Sequence, residues 1–437
     1  MARVAVDFWF GQGAREAAGS EAILPERGDA AQAKSSANLR AGGTWAVCRR
    51  CSSVTGLMEP APSSRHRQPA QATLARAMPI FQQAPSRPVP MLRTIRAHLD
   101  HRAATQPDRV FLIAPETGAI LTYGDLQCHA RALTAQLLAL GVRPGEKVSL
   151  MMCNGYQTGA LLLGIMYGGF TVAPINLLSQ ASQLRYVLEH SDTRVVFAHA
   201  AEMSRLREAI AAIGRDITIL EIDVDSTALP PADPLSAEQL SPVTPPDDAL
   251  LMYTSGTTGQ PKGVLLSHQN VVAGGEYTSA AHALTESDRV LCVLPLYHIN
   301  GQIVTAVAPL VSGGSVVLPR KFSATNYWQT AGEHGCTWLN FVPTIVSYLL
   351  NAPGPLARGV KVSSVRFARS ASAPLPPELH RAFEDKFGIG IIETMGMTET
   401  AAPCFTNPLD PASKVWEVSD GPTERAVELG GKKEGKE

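Results

Sequence analysis

The chain has 437 residues, of which 45% are hydrophobic and 18% charged, and its formal net charge is −1. That apolar content suffices for a sizeable core, and a near-neutral balance excludes general electrostatic attraction to nucleic acid or to an anionic membrane. The seven cysteines, an odd number scattered along a long chain, fit reduced thiols in a cytoplasm, and Cys48 with Cys51 forms a single CxxC that lacks a second pair to complete a zinc site.

The chain does not start like a secretory signal, because Asp7 and Glu16 flank only the short patch Phe8-Trp9-Phe10. Residues 1–88 are rich in Ala, Arg, Ser, Gln and Pro, and no acidic residue occurs between Glu59 and Asp100. This stretch reads as a disordered extension or as sequence upstream of the true start, with Met78 and Met91 as alternative starts and a transit peptide as the weaker option.

Order is expected from Met91, where Leu92, Ile95 and Leu99 suit one helix face. A strand at Val110–Ala114 and a turn at Gly118 follow, then a strand at Leu121–Tyr123, a helix over Gly124–Leu140 and a strand at Val148–Met152. Next come a helix over Tyr156–Tyr167, a strand at Thr171–Pro174, a helix over Ser179–His190 and a strand at Val195–Ala198. No charged residue occurs from Val148 to Leu184, but Gly168-Gly169 and Pro174 interrupt the stretch. It therefore reads as a buried helix and a buried strand, with no transmembrane segment.

Residues 226–248 are rich in Pro and Ser and read as a loop or subdomain linker. A second α/β run begins at Ala249–Tyr253 and continues through strands at Val290–Val293, Ser315–Leu318, Thr337–Phe341 and Val365–Ala368. Strands that alternate with helices and are apolar throughout imply mostly parallel sheets covered on both faces. The predicted fold class is α/β.

The strongest chemical signal is Tyr253-Thr254-Ser255-Gly256-Thr257-Thr258-Gly259-Gln260-Pro261-Lys262-Gly263-Val264. A buried strand runs into small residues whose backbone N–H groups can approach an anion closely. Thr254, Ser255, Thr257 and Thr258 add hydroxyls, and Lys262 adds a mobile positive charge. All of this suits polyphosphate oxygens. A Walker loop is excluded, because Pro261 precedes Lys262 and Gly263 follows it. No G-x-S-x-G frame surrounds Ser255.

This segment resembles the phosphate-binding signature of the adenylate-forming superfamily, which includes acyl-CoA synthetases, peptide-synthetase adenylation domains and firefly-type luciferases. Three more segments match in order: Pro295-Leu296-Tyr297-His298-Ile299-Asn300, Ser370-Ala371-Ser372-Ala373-Pro374-Leu375, and Glu393-Thr394-Met395-Gly396-Met397-Thr398-Glu399. The likeness covers roughly residues 91–414 and is closest to acyl-CoA synthetases. It implies two stacked βα-type subdomains, the large N-terminal domain of that fold, over 89–414. By resemblance Thr254, Ser255, Gly256, Thr257, Thr258, Gly259 and Lys262 hold the ATP phosphates. Ala371, Ser372 and Ala373, with Glu393, Thr394, Met395, Gly396 and Met397, surround the nucleotide, and Met395 stands where an aromatic residue usually stacks on adenine. Thr398 would contact the α-phosphate and Glu399 would help hold Mg²⁺. His298 would steer the substrate carboxylate, and the acyl pocket is expected among His298, Asn300, Gly301, Asn340, Val342, Met395 and Gly396.

The implied reaction consumes ATP and a carboxylic acid and then CoA. Beyond Asn407 the resemblance fades, and the ribose aspartate, the basic hinge and the small mobile domain with its lysine are not found. Residues 415–437 read as an atypical polar tail, and Val415–Asp420 as a short out-of-frame stretch. The expectation is a truncated synthetase, weak or inactive on its own. The alternatives are a catalytically dead nucleotide-binding fragment and an amino-acid adenylation domain. Against the latter, Tyr297-His298-Ile299-Asn300 contains no acid to pair with an α-ammonium.

Overall fold

The structure is a computed structural model that describes residues 92–254 and 260–409. The expectations for residues 1–88, for Cys48 and Cys51, for Ser255–Gly259 and for the tail fall outside the described residues.

Helix α1 (Ile95–Thr105) is capped by Thr94, whose side chain accepts from the Ala97 N–H, and it buries Ile95, Leu99 and Ala103. Strands β1 (Val110–Ala114) and β2 (Ala119–Thr122) form an antiparallel pair. Thr122 ends β2 and caps α2 (Tyr123–Ala139) in a capping box with Asp125, which satisfies two of the N–H groups a helix start leaves open. The chain continues through β3 (Lys147–Met151), α3 (Tyr156–Tyr167), β4 (Thr171–Pro174), α4 (Ala181–His190), β5 (Val195–Ala198), α5 (Met203–Ile213) and β6 (Thr218–Glu221). Every residue of α3 is buried. The uncharged stretch is thus a core helix, apolar on all sides because it is packed on all sides. Among the described residues no helix is long and apolar enough to cross a membrane.

After the irregular segment 222–247 come β7 (Asp248–Thr254), β8 (Lys262–Ser267) and α6 (His268–Ala281). Then follow β9 (Arg289–Cys292), a π-wound helix at Asn300–Val307 and its continuation α7 (Ala308–Ser312). The remaining elements are β10 (Ser315–Val317), α8 (Tyr327–Glu333), β11 (Trp338–Phe341), α9 (Pro343–Asn351), β12 (Phe367–Ser370), α10 (Pro377–Phe387), β13 (Ile391–Met397) and β14 (Ala402–Thr406).

These strands make two sheets, one of eight in the order β14-β13-β12-β11-β9-β10-β1-β2 and one of six in the order β6-β5-β3-β4-β7-β8. Both are parallel except at the pairs β1–β2, β13–β14 and β7–β8. The expected α/β class with mostly parallel sheets is therefore what is found. Helix α3 touches strands of both sheets, as does α6, and one hydrophobic cluster runs through the two sheets and the helices between them. A second cluster, with Met151, Leu188, Val196 and Leu206, closes the far side of the smaller sheet under α4 and α5.

Two details differ from the sequence expectation. The segment 226–248, read as a loop or a subdomain linker, is a loop that does not separate the sheets, because β7 pairs with β4 at Leu250–Val172 while β1 crosses to pair with β10. The strand expected at Val365–Ala368 lies at Phe367–Ser370. Arg369 lies inside this strand and is buried.

Candidate active site

In parallel α/β sheets ligands bind beyond the carboxyl ends of the strands. Three of the predicted motifs follow such ends, and the fourth runs along β13 into the turn beyond it. Strand β7 ends at Thr254, which pairs with Lys262 at the start of β8. The phosphate-type segment is thus the connection of a hairpin. Thr254 is half-buried and the Lys262 side chain is exposed, while Ser255, Gly256, Thr257, Thr258 and Gly259 lie outside the described residues.

Strand β9 leads to the Tyr-His segment. Asn154, just past β3 in the other sheet, clamps it: its Nδ2 donates to the Leu294 carbonyl at 3.0 Å and its Oδ1 accepts from the Leu296 N–H at 2.9 Å. Gln302 adds a second tie, with Nε2 donating to the Leu296 carbonyl at 2.5 Å and lying 3.3 Å from the Met252 sulfur of β7. The His298 ring sits 4.8 Å from that of Tyr297. Loss of solvent around the imidazole pulls its pKa down to about 4, so His298 is neutral at physiological pH. Gly301 is held tightly, since a Cβ there would stand 2.5 Å from the Pro295 carbonyl oxygen.

The centre of the site is a buried polar network absent from the sequence reading. Asn340 on β11 and Arg369 on β12 are register partners. Arg369 Nη1 donates to Asn340 Oδ1 and to Asn300 Oδ1, both at 2.8 Å. Asn340 Nδ2 donates to Asn300 Oδ1 at 3.3 Å, and Asn300 Nδ2 donates to Ser372 Oγ at 3.3 Å. One network therefore joins the Tyr-His segment, the end of β11 and the small-residue loop after β12. Val342, another expected pocket residue, is buried just past β11. Of this network only Asn300, Asn340 and Ser372 were singled out from sequence. The signal for Arg369 was present as a charge between apolar and small residues in Phe-Ala-Arg-Ser-Ala-Ser.

The small-residue loop is fastened at both ends. The Ala371 N–H donates to the Phe341 carbonyl at 3.3 Å, and the Leu375 N–H donates to the Glu393 carboxylate at 2.9 Å. Ser372 and Ala373 are exposed, and Ser372 takes a left-handed backbone with φ 73°. Burial pushes the Glu393 pKa upward, and the Leu375 N–H partly offsets it. Thr394 is buried with no partner for its hydroxyl among the described residues, Met395 is half-buried, and Gly396 and Met397 are exposed.

Thr398 and Glu399 occupy a turn that ends in two left-handed residues, Ala401 at φ 52° and Ala402 at φ 104°. Non-glycine residues adopt such angles at a cost and keep them where the surroundings fix the backbone. Here α6 is the support, because a Cβ on Gly274 would stand only 2.0 Å from the Ala401 carbonyl oxygen. Glu399 is exposed, and no cluster of three or more His, Cys, Asp or Glu able to hold a metal occurs among the described residues. Glu399 alone offers one carboxylate, the smallest protein contribution compatible with Mg²⁺, which takes one or two carboxylates and completes its shell with phosphate oxygens and water. A separate cleft of about 260 Å³, lined by Glu116, Lys321, Tyr327 and Glu333 among others, contains none of these residues.

A two-sheet α/β fold with nucleotide-type motifs at its strand ends is the N-terminal domain architecture of adenylate-forming enzymes. Solved structures with this fold include the N-terminal domain of FACL13 from Mycobacterium tuberculosis (TM-score 0.65, 25% identity, 72% of this chain and 78% of that one). A benzoate CoA ligase from Burkholderia xenovorans has TM-score 0.65 and 26% identity over 72% of this chain and 63% of that one. The family model described as AMP-binding enzyme matches residues 99–425, and the chain belongs to that family. It is 54% identical over 323 residues to a sulfoacetate–CoA ligase from Cupriavidus necator (74% of this chain, 63% of that one). It is 31% identical over 333 residues to an oxalate–CoA ligase from Arabidopsis thaliana (72% and 63%). The chain thus spans less than two thirds of the length of these curated relatives.

Proposed function

We propose that the protein is an AMP-forming acid–CoA ligase, which activates a carboxylic acid as an acyl-adenylate and then transfers the acyl group to the thiol of CoA. The observation that supports this reading is that three of the motifs follow the carboxyl ends of β7, β9 and β12 and the fourth runs along β13 into the turn after it. Membership of the AMP-binding family and the ligase relatives support it.

A carboxylate is a poor electrophile because its charge repels nucleophiles. In this reading its oxygen attacks the α-phosphorus of ATP and pyrophosphate leaves. Charge neutralisation and in-line placement then supply most of the acceleration. Lys262, exposed at the hairpin base, would reach the phosphate oxygens together with the hydroxyls and N–H groups of 254–259. Neutral His298 would orient the acid's carboxylate by hydrogen bonding without fixing it in an ion pair. Thr398 would meet the α-phosphate, and Ala371, Ser372, Ala373 and Met395 would line the adenine site. Glu399 would hold Mg²⁺, which when bound neutralises charge on the phosphate oxygens.

The amino-acid adenylation alternative is disfavoured. The polar network offers no carboxylate to an ammonium group and places a guanidinium there. Sulfoacetate, the acid of the Cupriavidus necator relative, is the first substrate to test. The five described cysteines are free thiols, which suits a reducing cytoplasm.

The test is ATP–pyrophosphate exchange with sulfoacetate, oxalate, aliphatic acids of increasing length and aromatic acids, with MgATP binding measured in parallel. Weak acid-dependent exchange is the expected result. MgATP that fails to bind, or binds without protection of the 254–262 hairpin in hydrogen exchange, would overturn the reading.

A further inference from the structure

Arg369 is only 2% exposed. A buried guanidinium is ordinarily matched by a carboxylate, because an unpaired charge is costly to remove from water. No carboxylate neutralises Arg369 among the described residues, and burial alone accounts for the lowering of its pKa to about 9, so it stays a cation at neutral pH. Its contacts are also one-sided. Nη1 spends its donors on Asn300 and Asn340, whose amide oxygens hold the guanidinium in place. Nε has no hydrogen-bond partner among the described residues. The group that would match such a cation is an oxyanion, a carboxylate or a sulfonate.

The position of this cation is informative. Asn300, which touches it, lies two residues from His298 and donates to Ser372 in the small-residue loop. The guanidinium is thus tied, through Asn300 and Asn340, to residues expected to line the acyl pocket.

We propose that Arg369 is the specificity-determining counter-charge of the acyl pocket, matching the second anionic group of a short carboxylic acid. Asn300 and Asn340 act as its positioning residues. This inference rests on the acid-activating reading above and narrows it to acids with two anionic ends. A monoanionic aliphatic acid would leave the buried charge unmatched and would present a methyl group to it.

The experiment is calorimetric titration of the 437-residue chain, saturated with α,β-methylene-ATP and Mg²⁺, with sulfoacetate, malonate and propionate. The wild type should bind one or both dianions at least about 30-fold more tightly than propionate, the margin of a charge-assisted bidentate pair. R369M should lose that preference while keeping nucleotide affinity, and R369K should retain part of it. The relative response to sulfoacetate and malonate identifies the second group as sulfonate or carboxylate. If nucleotide binds but propionate binds as well as the dianions, the inference falls and the ligase reading stands. Equal losses of nucleotide and acid affinity in R369M would mean a structural role and would also overturn it. If neither nucleotide nor any acid binds, the ligase reading fails and this inference with it. Should R369M not fold, the wild-type panel and R369K decide.

Discussion

Gly274→Ala tests how the turn carrying Thr398 and Glu399 is supported. In an isolated helix this change is favourable by about 1 kcal/mol, because alanine loses less conformational freedom. In α6 the new Cβ would stand 2.0 Å from the Ala401 carbonyl oxygen and 2.8 Å from the Ile303 Cγ2. The carbonyl belongs to the backbone and cannot rotate away as a side-chain tip can, so the turn or the helix has to move. Overpacking of this kind costs about 1–3 kcal/mol, and the backbone contact places it at the upper end. The expected net loss is about 1–2 kcal/mol, a fall in Tm of about 1.5–3 °C for a domain of this size. Function should suffer more, because the displaced turn holds the proposed magnesium and α-phosphate contacts. MgATP affinity is expected to drop about tenfold, equivalent to about 1.4 kcal/mol. Gly275→Ala is the matched control: its nearest atoms are Val307 and Val311 methyls at 2.8 and 3.2 Å, which can yield without shifting the turn. Thermal unfolding and fluorescent-nucleotide titration of both variants give the answer. A Gly274→Ala protein that is more stable than wild type, with unchanged MgATP affinity, would refute the argument.

Lys262→Ala should leave Tm unchanged, since the side chain is exposed, and should lower acid-dependent exchange by about 10²–10³, the scale for removing one preorganised donor to developing charge; a change within about threefold would remove Lys262 from the phosphate site. Glu399→Gln should raise the Mg²⁺ concentration for half-maximal MgATP binding about tenfold without altering binding of metal-free ATP, measured by titration at fixed nucleotide. Burial holds His98, His129, His268 and His282 down to about 4 from a free value of 6.5. The unfolded chain therefore takes up protons first, and stability complete above about pH 6.5 should fall by up to about 1.4 kcal/mol per histidine per pH unit as pH drops toward 4. Glu276 and Glu393, raised by burial, act in the opposite sense from their raised values down to 4.5. Urea midpoints at pH 7.5, 6 and 5 check the balance, and a flat profile would contradict it.

Most strands and helices were legible because the local signals agree with the packing. Val110–Ala114, Thr171–Pro174 and Val195–Ala198 are short apolar runs with turn residues nearby, and all three are strands. Tyr156–Tyr167 is long enough to be a helix and lies buried on every side. Topology was less legible, since nothing local in Val110–Ala114 says that it pairs with Ser315–Val317. The irregular segment before Asp248 looks like a boundary, yet β7 joins the sheet already formed by β3, β4 and β5.

The least legible part of the site is the part that bears on specificity. Sequence motifs mark where phosphate and adenine would be held, because those contacts depend on short contiguous stretches of glycine, hydroxyl and small residues. The proposed acyl pocket would depend on side chains brought together by sheet register. Asn340 and Arg369 belong to different strands, and Asn300 reaches them from a third segment. A lone arginine in a strand is ordinarily read as exposed or as an element end, because burial without a carboxylate is unfavourable. Two neutral amides hold its position here without cancelling its charge. That arrangement stores an unmatched positive charge inside the fold, which a purely structural role would not require, since an apolar residue of similar volume in such a place is commonly neutral or stabilising.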